Sequence, residues 1–442
     1  MTASGPSDFL VSADHLVTVD AGDRILAGHA LVVRERRIHA ILPVADALRR
    51  FPKLPHLALP GHVLMPGLVN AHTHAAMGLF RGLADDLPLM TWLEQHIWPA
   101  EQRWVGEEFV HDGSLLAAAE MIRGGTTCFS DMYFFPDAVA RAAATAHLRC
   151  VLHPPVLEFA TAWARDAGEY IHKALELRDK LRGHPLITVG IGPHAPYTVG
   201  DEALQRIITL TNELTTAVPL QMHVHETAGE VADAVAAGGV RPLARLHALG
   251  LTGPGFQCVH MTQVEDQDLA LLAATGSHVV HCPSSNMKLA SGHCPVARLL
   301  AAGVNVALGT DGGASNNTLD MFGELRLAAL LGKSAAGDAA AVPARQALRM
   351  ATINGARALG MDADIGSLET GKSADFIAVD LAVPESQPLY DVASQLVYAC
   401  DRRQVSHVWV AGRQLLDDRQ LTTLNAHHLQ QLAVDWAARI KP

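Results

Sequence analysis

The chain has 442 residues, 49% hydrophobic and 18% charged, with 34 basic against 45 acidic side chains and a formal net charge of −11. That length holds two or three average domains, or one large α/β barrel with an accessory module; the composition excludes a disordered, collagenous or disulfide-scaffold chain. So acidic a balance offers no broad basic footprint for a phosphate backbone, which argues against nucleic acid and leaves a small molecule as partner.

The opening MTASGPSDFL lacks a basic flank followed by an apolar run, so no signal peptide is expected. The first 66 residues read as short strands: Leu16–Val19, Ala30–Val33, Ile38–Ile41 and Val63–Met65, separated by Gly and Asp. Leu54 to Phe80 carries no charged side chain, but Pro, Gly and His interrupt it, and no membrane span is expected. Six cysteines (Cys128, Cys150, Cys258, Cys282, Cys294 and Cys400) are scattered without a C-x-x-C pair. They read as buried thiols of a reducing compartment, and the cytoplasm is the expected location.

The texture then changes to alternating apolar runs and amphipathic helices. The runs are Leu68–Ala71, Thr126–Ser130, Arg149–Leu152, Ile187–Ile191, Leu220–His225, Phe256–His260, His278–His281 and Asn305–Gly309. Helical stretches such as Glu107–Arg123, Asp137–His147, Ala203–Leu214, Asp266–Ala274 and Leu319–Leu331 separate them. Alternation implies a parallel sheet, and eight strand–helix units predict a (β/α)8 TIM-type barrel, with an open doubly wound sheet as the alternative. Strand texture returns at Asp375–Val379 and His407–Val410, so the two ends of the chain are expected to pair into one small β module. Ala426 to Ile440 has Leu and Ala at helical spacing and predicts a terminal helix.

In such a barrel the chemistry sits where the strands end. The first ends Asn70-Ala71-His72-Thr73-His74. Residues two apart on a strand face one side, so both imidazoles point into the mouth. Other strands end in His194, in His223-Val224-His225-Glu226, in His260, in His281 and in Thr310-Asp311-Gly312. Each alone has an ordinary reading as a hydrogen-bonded histidine or a turn aspartate. Together they make a donor set that suits a divalent metal, zinc first, with one position left for water.

The stretches PGLVNAHTHAAMGLFRGLADDLPLMTWLEQHIWPAE, GPHAPYT, HVHET, CVHM, HCPSSNMKLASG and GTDGGASNN, one per strand end and in order, resemble the amidohydrolase superfamily. Within it the chain resembles the ATZ/TRZ-type aminohydrolases, most closely the group of 5-methylthioadenosine/S-adenosylhomocysteine deaminases. The likeness covers nearly the whole chain. It implies a β-sandwich module built from residues 1–66 and 366–442, and a barrel over 67–365. It implies His72, His74, His223 and Asp311 as ligands of one metal ion, most simply Zn2+. It implies Glu226 as proton shuttle, Asp311 as proton acceptor, and His260 as the group that orients a metal-bound hydroxide. The family pattern His-x-x-Glu selects His223 with Glu226 and leaves His225 in support. Dinuclear relatives need a lysine at the end of strand four, and Ile187 to Thr198 contains none, so a single metal is expected.

For the substrate, the resemblance implies Glu101 as the carboxylate that grips two ribose hydroxyls, Trp92 as a flat apolar face, and His194 on the sugar side. A solvated Glu101 on an amphipathic helix is the alternative. Asn316 to Thr318 are expected to cap the next helix, although they could line the pocket. Arg149 is weighed as a nucleoside contact without a secure alignment. The expected activity is hydrolytic deamination of adenine nucleosides: 5′-methylthioadenosine, S-adenosylhomocysteine or adenosine to the inosine analogue plus ammonia. The alternative is a deaminase or chlorohydrolase of guanine, cytosine, a pterin or an s-triazine. A non-catalytic barrel is expected to lose ligands, and here every ligand position is filled; a zinc store would leave Glu226 and His260 without purpose. The resemblance further implies a homo-oligomer.

Overall fold

Eight short parallel strands lie between helices in the computed structural model, which describes residues 8–214 and 218–441. Part of the opening segment and Thr215 to Ala217 therefore lie outside the described residues. Leu68–Thr73, Thr126–Asp131, Arg149–Leu152 and Ile187–Val189 form one four-stranded sheet. Leu220–Val224, Phe256–His260, His278–His281 and Val306–Leu308 form a second. All pairings in both are parallel.

The outer edges of the two sheets approach one another twice. A bridge pairs Ile191 with Leu220. On the other side the Asp311 amide donates to the His72 carbonyl at 3.0 Å. Approach is close enough there that a Cβ at Gly309 would fall 2.9 Å from the His72 backbone nitrogen, so only glycine fits.

These strands read as unbroken apolar runs because both faces are covered. Val69, Ala71, Val151, Val259, Val280 and Ala307 are fully buried on one face, and the alternate residues meet helices on the other. The helices Glu107–Arg123, Pro136–Ala146, Asp201–Glu213, Asp266–Thr275 and Met321–Ala336 follow the strands as the sequence pattern predicts. The six cysteines are buried and unpaired. Among the described residues, no helix is long and apolar enough to cross a membrane.

The two ends of the chain share one nine-stranded sheet. Its central joint is antiparallel, Phe376–Asp380 against His56–Pro66, with Val379 opposite Val63 and Phe376 opposite Pro66. The Phe9 and Trp409 rings lie 6.3 Å apart although two strands separate theirs in the sheet order. Three strand spacings in a flat sheet would part them by roughly 14 Å, so this sheet curls strongly.

Arg149 ties that sheet to the parallel strands. Its guanidinium meets Asp375 at 2.8 Å and 3.1 Å and Ser373 at 3.1 Å, all buried. Asp375 also accepts from the Ala411 amide at 2.7 Å. Arg149 opens its strand, so it sits at the end remote from the strand C-termini. This corrects the idea of Arg149 as a nucleoside contact: its charge is consumed by the joint between the two parts of the fold.

Candidate active site

His72 lies within its strand and His74 just past its end. Two local devices hold this segment. Asn70 exchanges hydrogen bonds with Thr310, donating to Oγ1 at 2.7 Å and accepting from the amide at 2.9 Å. Asp131 accepts from Thr73 Oγ1 at 2.9 Å and from the Ala75 amide at 2.6 Å. The spacing of two therefore acts as expected, and both rings reach the same centre.

Three other strand ends turn sharply. His225, His260 and Asp311 have φ of +53°, +77° and +62°. Such conformations cost a non-glycine residue about 1–3 kcal/mol each and persist where the surroundings hold them. At His225 the turn ends the strand after Val224, so period-two alternation stops. The His225 ring faces away from the centre, and its Nε2 accepts from the Leu243 amide at 3.1 Å. His223 alone of the pair faces inward, as the family pattern implies.

The Nδ1 atoms of four rings are committed outward. That of His72 donates to Gln221 Oε1 at 2.7 Å, and that of His74 to the Met132 carbonyl at 2.5 Å. His223 uses the His194 carbonyl at 2.7 Å, and His260 uses Asn286 Oδ1 at 2.8 Å. Each proton is thereby placed on Nδ1, which leaves Nε2 as a bare lone pair aimed at the centre. His223 Nε2 stands 3.3 Å from His72 Nε2. Asp311 Oδ1 stands 3.3 Å from His74 Nε2 and 3.5 Å from His72 Nε2. Donors about 2.0–2.2 Å from one tetrahedral ion lie roughly 3.3–3.5 Å apart. These three separations match those around one tetrahedral ion, and the donor chemistry and lone-pair directions suit a single zinc-sized cation. His72, His74 and Asp311 form one compact donor group, and His72, His223 and His260 another, sharing His72.

Burial opposes ionising Asp311, and positive charge on the side of His72 and His74 holds its carboxyl well below the usual range, the part a cation plays where those rings present lone pairs. Its Oδ2 accepts from Ser285 Oγ at 2.6 Å and its Oδ1 from the Gly312 amide at 2.7 Å. Glu226 is the opposite case: burial, then the Asp311 charge, push it up to about 8. Its Oε1 lies 3.8 Å from His260 Nε2. Two carboxyls in one site with opposite shifts are the pattern of an acid and a base. Glu226 is held from below by Glu230, whose side chain accepts from the amides of His225 at 3.0 Å and Glu226 at 2.6 Å.

A cavity of about 650 Å³ opens over this centre, lined by His74, His223, Glu226, His260 and Asp311 at its base and by Trp92, Glu101, Tyr133, His194 and Phe159 on its walls. That volume suits a small organic ligand. Trp92, Glu101 and His194, expected on the substrate side, thus share one space with the donor cluster, and His72 lies beneath it. The segment Leu89–Trp104, which carries Trp92 and Glu101, is helical. Glu101 is pushed up to about 7 by burial, partly offset by Tyr133.

The expectation that Asn316 to Thr318 cap the following helix is corrected. Asp320 caps Met321–Ala336, accepting from the Phe322 amide at 3.0 Å. Asn316 instead donates to the Thr310 carbonyl and to the buried Glu324 carboxyl. Sequence reasoning did not reach Gln221, Asn286, Tyr133 or Glu230. Only Glu230 left a local signal, as the last residue of Thr227-x-x-Glu230, a helix-start pattern in which Thr227 accepts from the Glu230 amide.

Comparison with known proteins gives the family. Residues 63–415 match the amidohydrolase family. A protein of Teredinibacter turnerae described as 5-methylthioadenosine/S-adenosylhomocysteine deaminase is 52% identical over 440 residues, covering 100% of this chain and 99% of its own. A crystal structure of an adenosine deaminase from Xanthomonas campestris with bound zinc superposes with a TM-score of 0.97 at 50% identity, covering 99% of both chains. The zinc complex of an atrazine chlorohydrolase from Arthrobacter aurescens superposes with a TM-score of 0.90 at 22% identity, over 98% of this chain and 100% of its own. That last likeness speaks to the fold alone.

Proposed function

The chain belongs to the amidohydrolase family, and we propose that within it the protein is a zinc-dependent hydrolytic deaminase of adenine nucleosides. The products are the inosine analogue and ammonia. The observation that carries this reading is the meeting at His72 of two compact donor groups, His74 with Asp311 and His223 with His260, beneath a cavity that also holds the Glu226 carboxyl, which burial raises to about 8. The full-length relatives support the nucleoside class. The s-triazine alternative rests on a likeness of fold only and is not favoured.

A zinc ion held by those four residues would supply Lewis acidity and bring the pKa of water to about 7. The chain's own groups divide the remaining work. Glu226, protonated at neutral pH, donates to the ring nitrogen beside the amino-bearing carbon as aromaticity is broken. Asp311, kept ionised, takes one proton from the attacking water and passes it to the departing ammonia, and the other water proton returns to Glu226 as the carbonyl forms. His260, its Nδ1 fixed by Asn286, presents Nε2 toward the same space and orients the attacking water. Trp92 offers its face to the base, Glu101 grips the ribose diol, and His194 stands on the sugar side.

The two four-stranded sheets are read as one TIM-type barrel over 67–365, supported by the Ile191–Leu220 bridge and the Asp311–His72 contact at their edges. The curled nine-stranded sheet is read as the β-sandwich of 1–66 and 366–442, supported by the Phe9–Trp409 approach. Buried, unpaired thiols support a reducing, cytoplasmic setting. Sedimentation of the zinc-loaded protein tests the homo-oligomer that the family resemblance implies.

The primary test is ammonia release by zinc-loaded protein offered 5′-methylthioadenosine, S-adenosylhomocysteine, adenosine, adenine, guanine and cytosine side by side. Turnover of the nucleosides without free adenine supports the reading. Turnover of a free base alone, or of none, overturns it.

A further inference from the structure

Glu101 stands on the helix Trp98–Trp104 and lines the same cavity as the donor cluster. Among the described residues no lysine or arginine reaches it, and its side chain accepts one hydrogen bond, from Tyr133 Oη at 2.6 Å. A glutamate has three side-chain rotors, and an unheld carboxylate would sweep the wall and lose entropy on every binding event. Tyr133 is almost fully buried and lines the same cavity. Burial and the neighbouring Glu101 push its phenol well above the ordinary value, so Tyr133 keeps the proton it donates to Glu101.

Tyr133 also stands next to residues that serve the other half of the site. Asp131 clamps the strand end that carries His72 and His74, through Thr73 Oγ1 and the Ala75 amide. The Met132 carbonyl accepts from His74 Nδ1 and so aims that ring. The Tyr133 ring lies 6.2 Å from the His74 ring. Three consecutive residues therefore address the metal-ligating strand, the ligand ring and the diol acceptor in turn.

We propose that Tyr133 is a positioning residue for sugar recognition, a role that rests on Glu101 being the ribose grip. It ties the Glu101 carboxylate to the backbone segment that aims His74, and so sets the span between the reacting end and the diol end of the substrate. A carboxylate has about four lone-pair positions. Tyr133 takes one on Oε1, which leaves enough for two vicinal hydroxyls. A nucleoside held at Glu101 in this way presents its base to the centre at a set distance. A nucleoside without the diol gains nothing from the arrangement.

Tyr133→Phe removes only the hydroxyl. The experiment compares wild type, Tyr133→Phe, Glu101→Gln and the double variant, each zinc-loaded, on adenosine and on 2′,3′-dideoxyadenosine. Metal content and melting temperature are measured on the same samples. Loss of a hydrogen bond to a charged group predicts a fall of about tenfold in kcat/KM for adenosine in Tyr133→Phe, carried mainly by KM. The dideoxy substrate should change by less than twofold, and Tyr133→Phe should add little once Glu101→Gln is present. Equal loss on both substrates, or loss on neither, overturns the proposal while Glu101→Gln still discriminates between them. If Glu101→Gln treats the two substrates alike, the ribose-grip reading itself fails, and the proposal with it.

Discussion

His223 Nε2 faces His72 Nε2 across 3.3 Å with no proton between them, because the Nδ1 protons are held by the His194 carbonyl and by Gln221. Two bare lone pairs at that separation repel unless a cation lies between them. The relationship is therefore a charge requirement written into the hydrogen-bond network around the rings, and Gln221 is the member most open to test.

Gln221 is buried beneath His72, and its amide nitrogen donates to the Ala71 carbonyl at 2.9 Å and to Gln257 at 2.7 Å, which turns its oxygen toward the ring. Gln221→Leu should lower zinc affinity by about 10–100-fold, the usual scale for losing a partner that orients a metal-bound histidine. Competition with a fluorescent zinc chelator reads the change. An unchanged affinity would mean that the His72 ring is held by packing alone.

Glu226→Gln should keep one zinc per chain and lose activity by about 10²–10⁴-fold, the scale of a positioned proton donor. Elemental analysis and nucleoside turnover on the same preparation separate the two effects. High residual turnover in the metal-replete variant would count against Glu226 as the donor.

Arg149→Leu should destabilise the protein by about 3–5 kcal/mol, since it leaves Asp375 buried without its cation. Denaturant unfolding measures the loss, and kcat of the protein that remains folded should stay near wild type. A selective rise in KM at unchanged stability would return Arg149 to the substrate.

Glu324 supplies the pH test, because it is buried behind the site and takes no part in the proposed chemistry. Burial pushes it up to about 7 from an ordinary 4.5, only partly offset by Ser284 and Asn316. Below pH 4.5 the acid is protonated in both folded and unfolded chains and has no pH-linked effect. Between 4.5 and 7 the unfolded chain ionises first, so stability falls as pH rises, and above 7 the difference is constant. Relative to Glu324→Gln, wild type should therefore lose about 3 kcal/mol across that window. Parallel unfolding curves at pH 4.5 and 7.5 check it. A difference independent of pH would show that Glu324 titrates normally.

Much of this protein was open to a reader of the chain alone. The eight apolar runs appear as strands because each is buried on both faces, and burial on both faces writes itself as continuous hydrophobicity. The pairing of His72 with His74 followed from the two-residue period of a strand. The roles proposed for His223, Asp311, Glu226 and Glu101 rest on family resemblance, since no local pattern separates a ligand histidine from a structural one. What only the tertiary structure decided were facts of direction and distance. A strand period predicts that His225 faces with His223; a backbone turn at φ +53° sends it to Leu243 instead. Arg149 lies at the opposite end of its strand from the site, paired with Asp375, 226 positions along the chain. Tyr133 meets Glu101 across 32 positions, and Asn286 meets His260 across 26. Periodicity and propensity act between near neighbours, whereas hydrogen bonds between loops depend on where the packed core leaves each strand end, and that is a property of the folded chain.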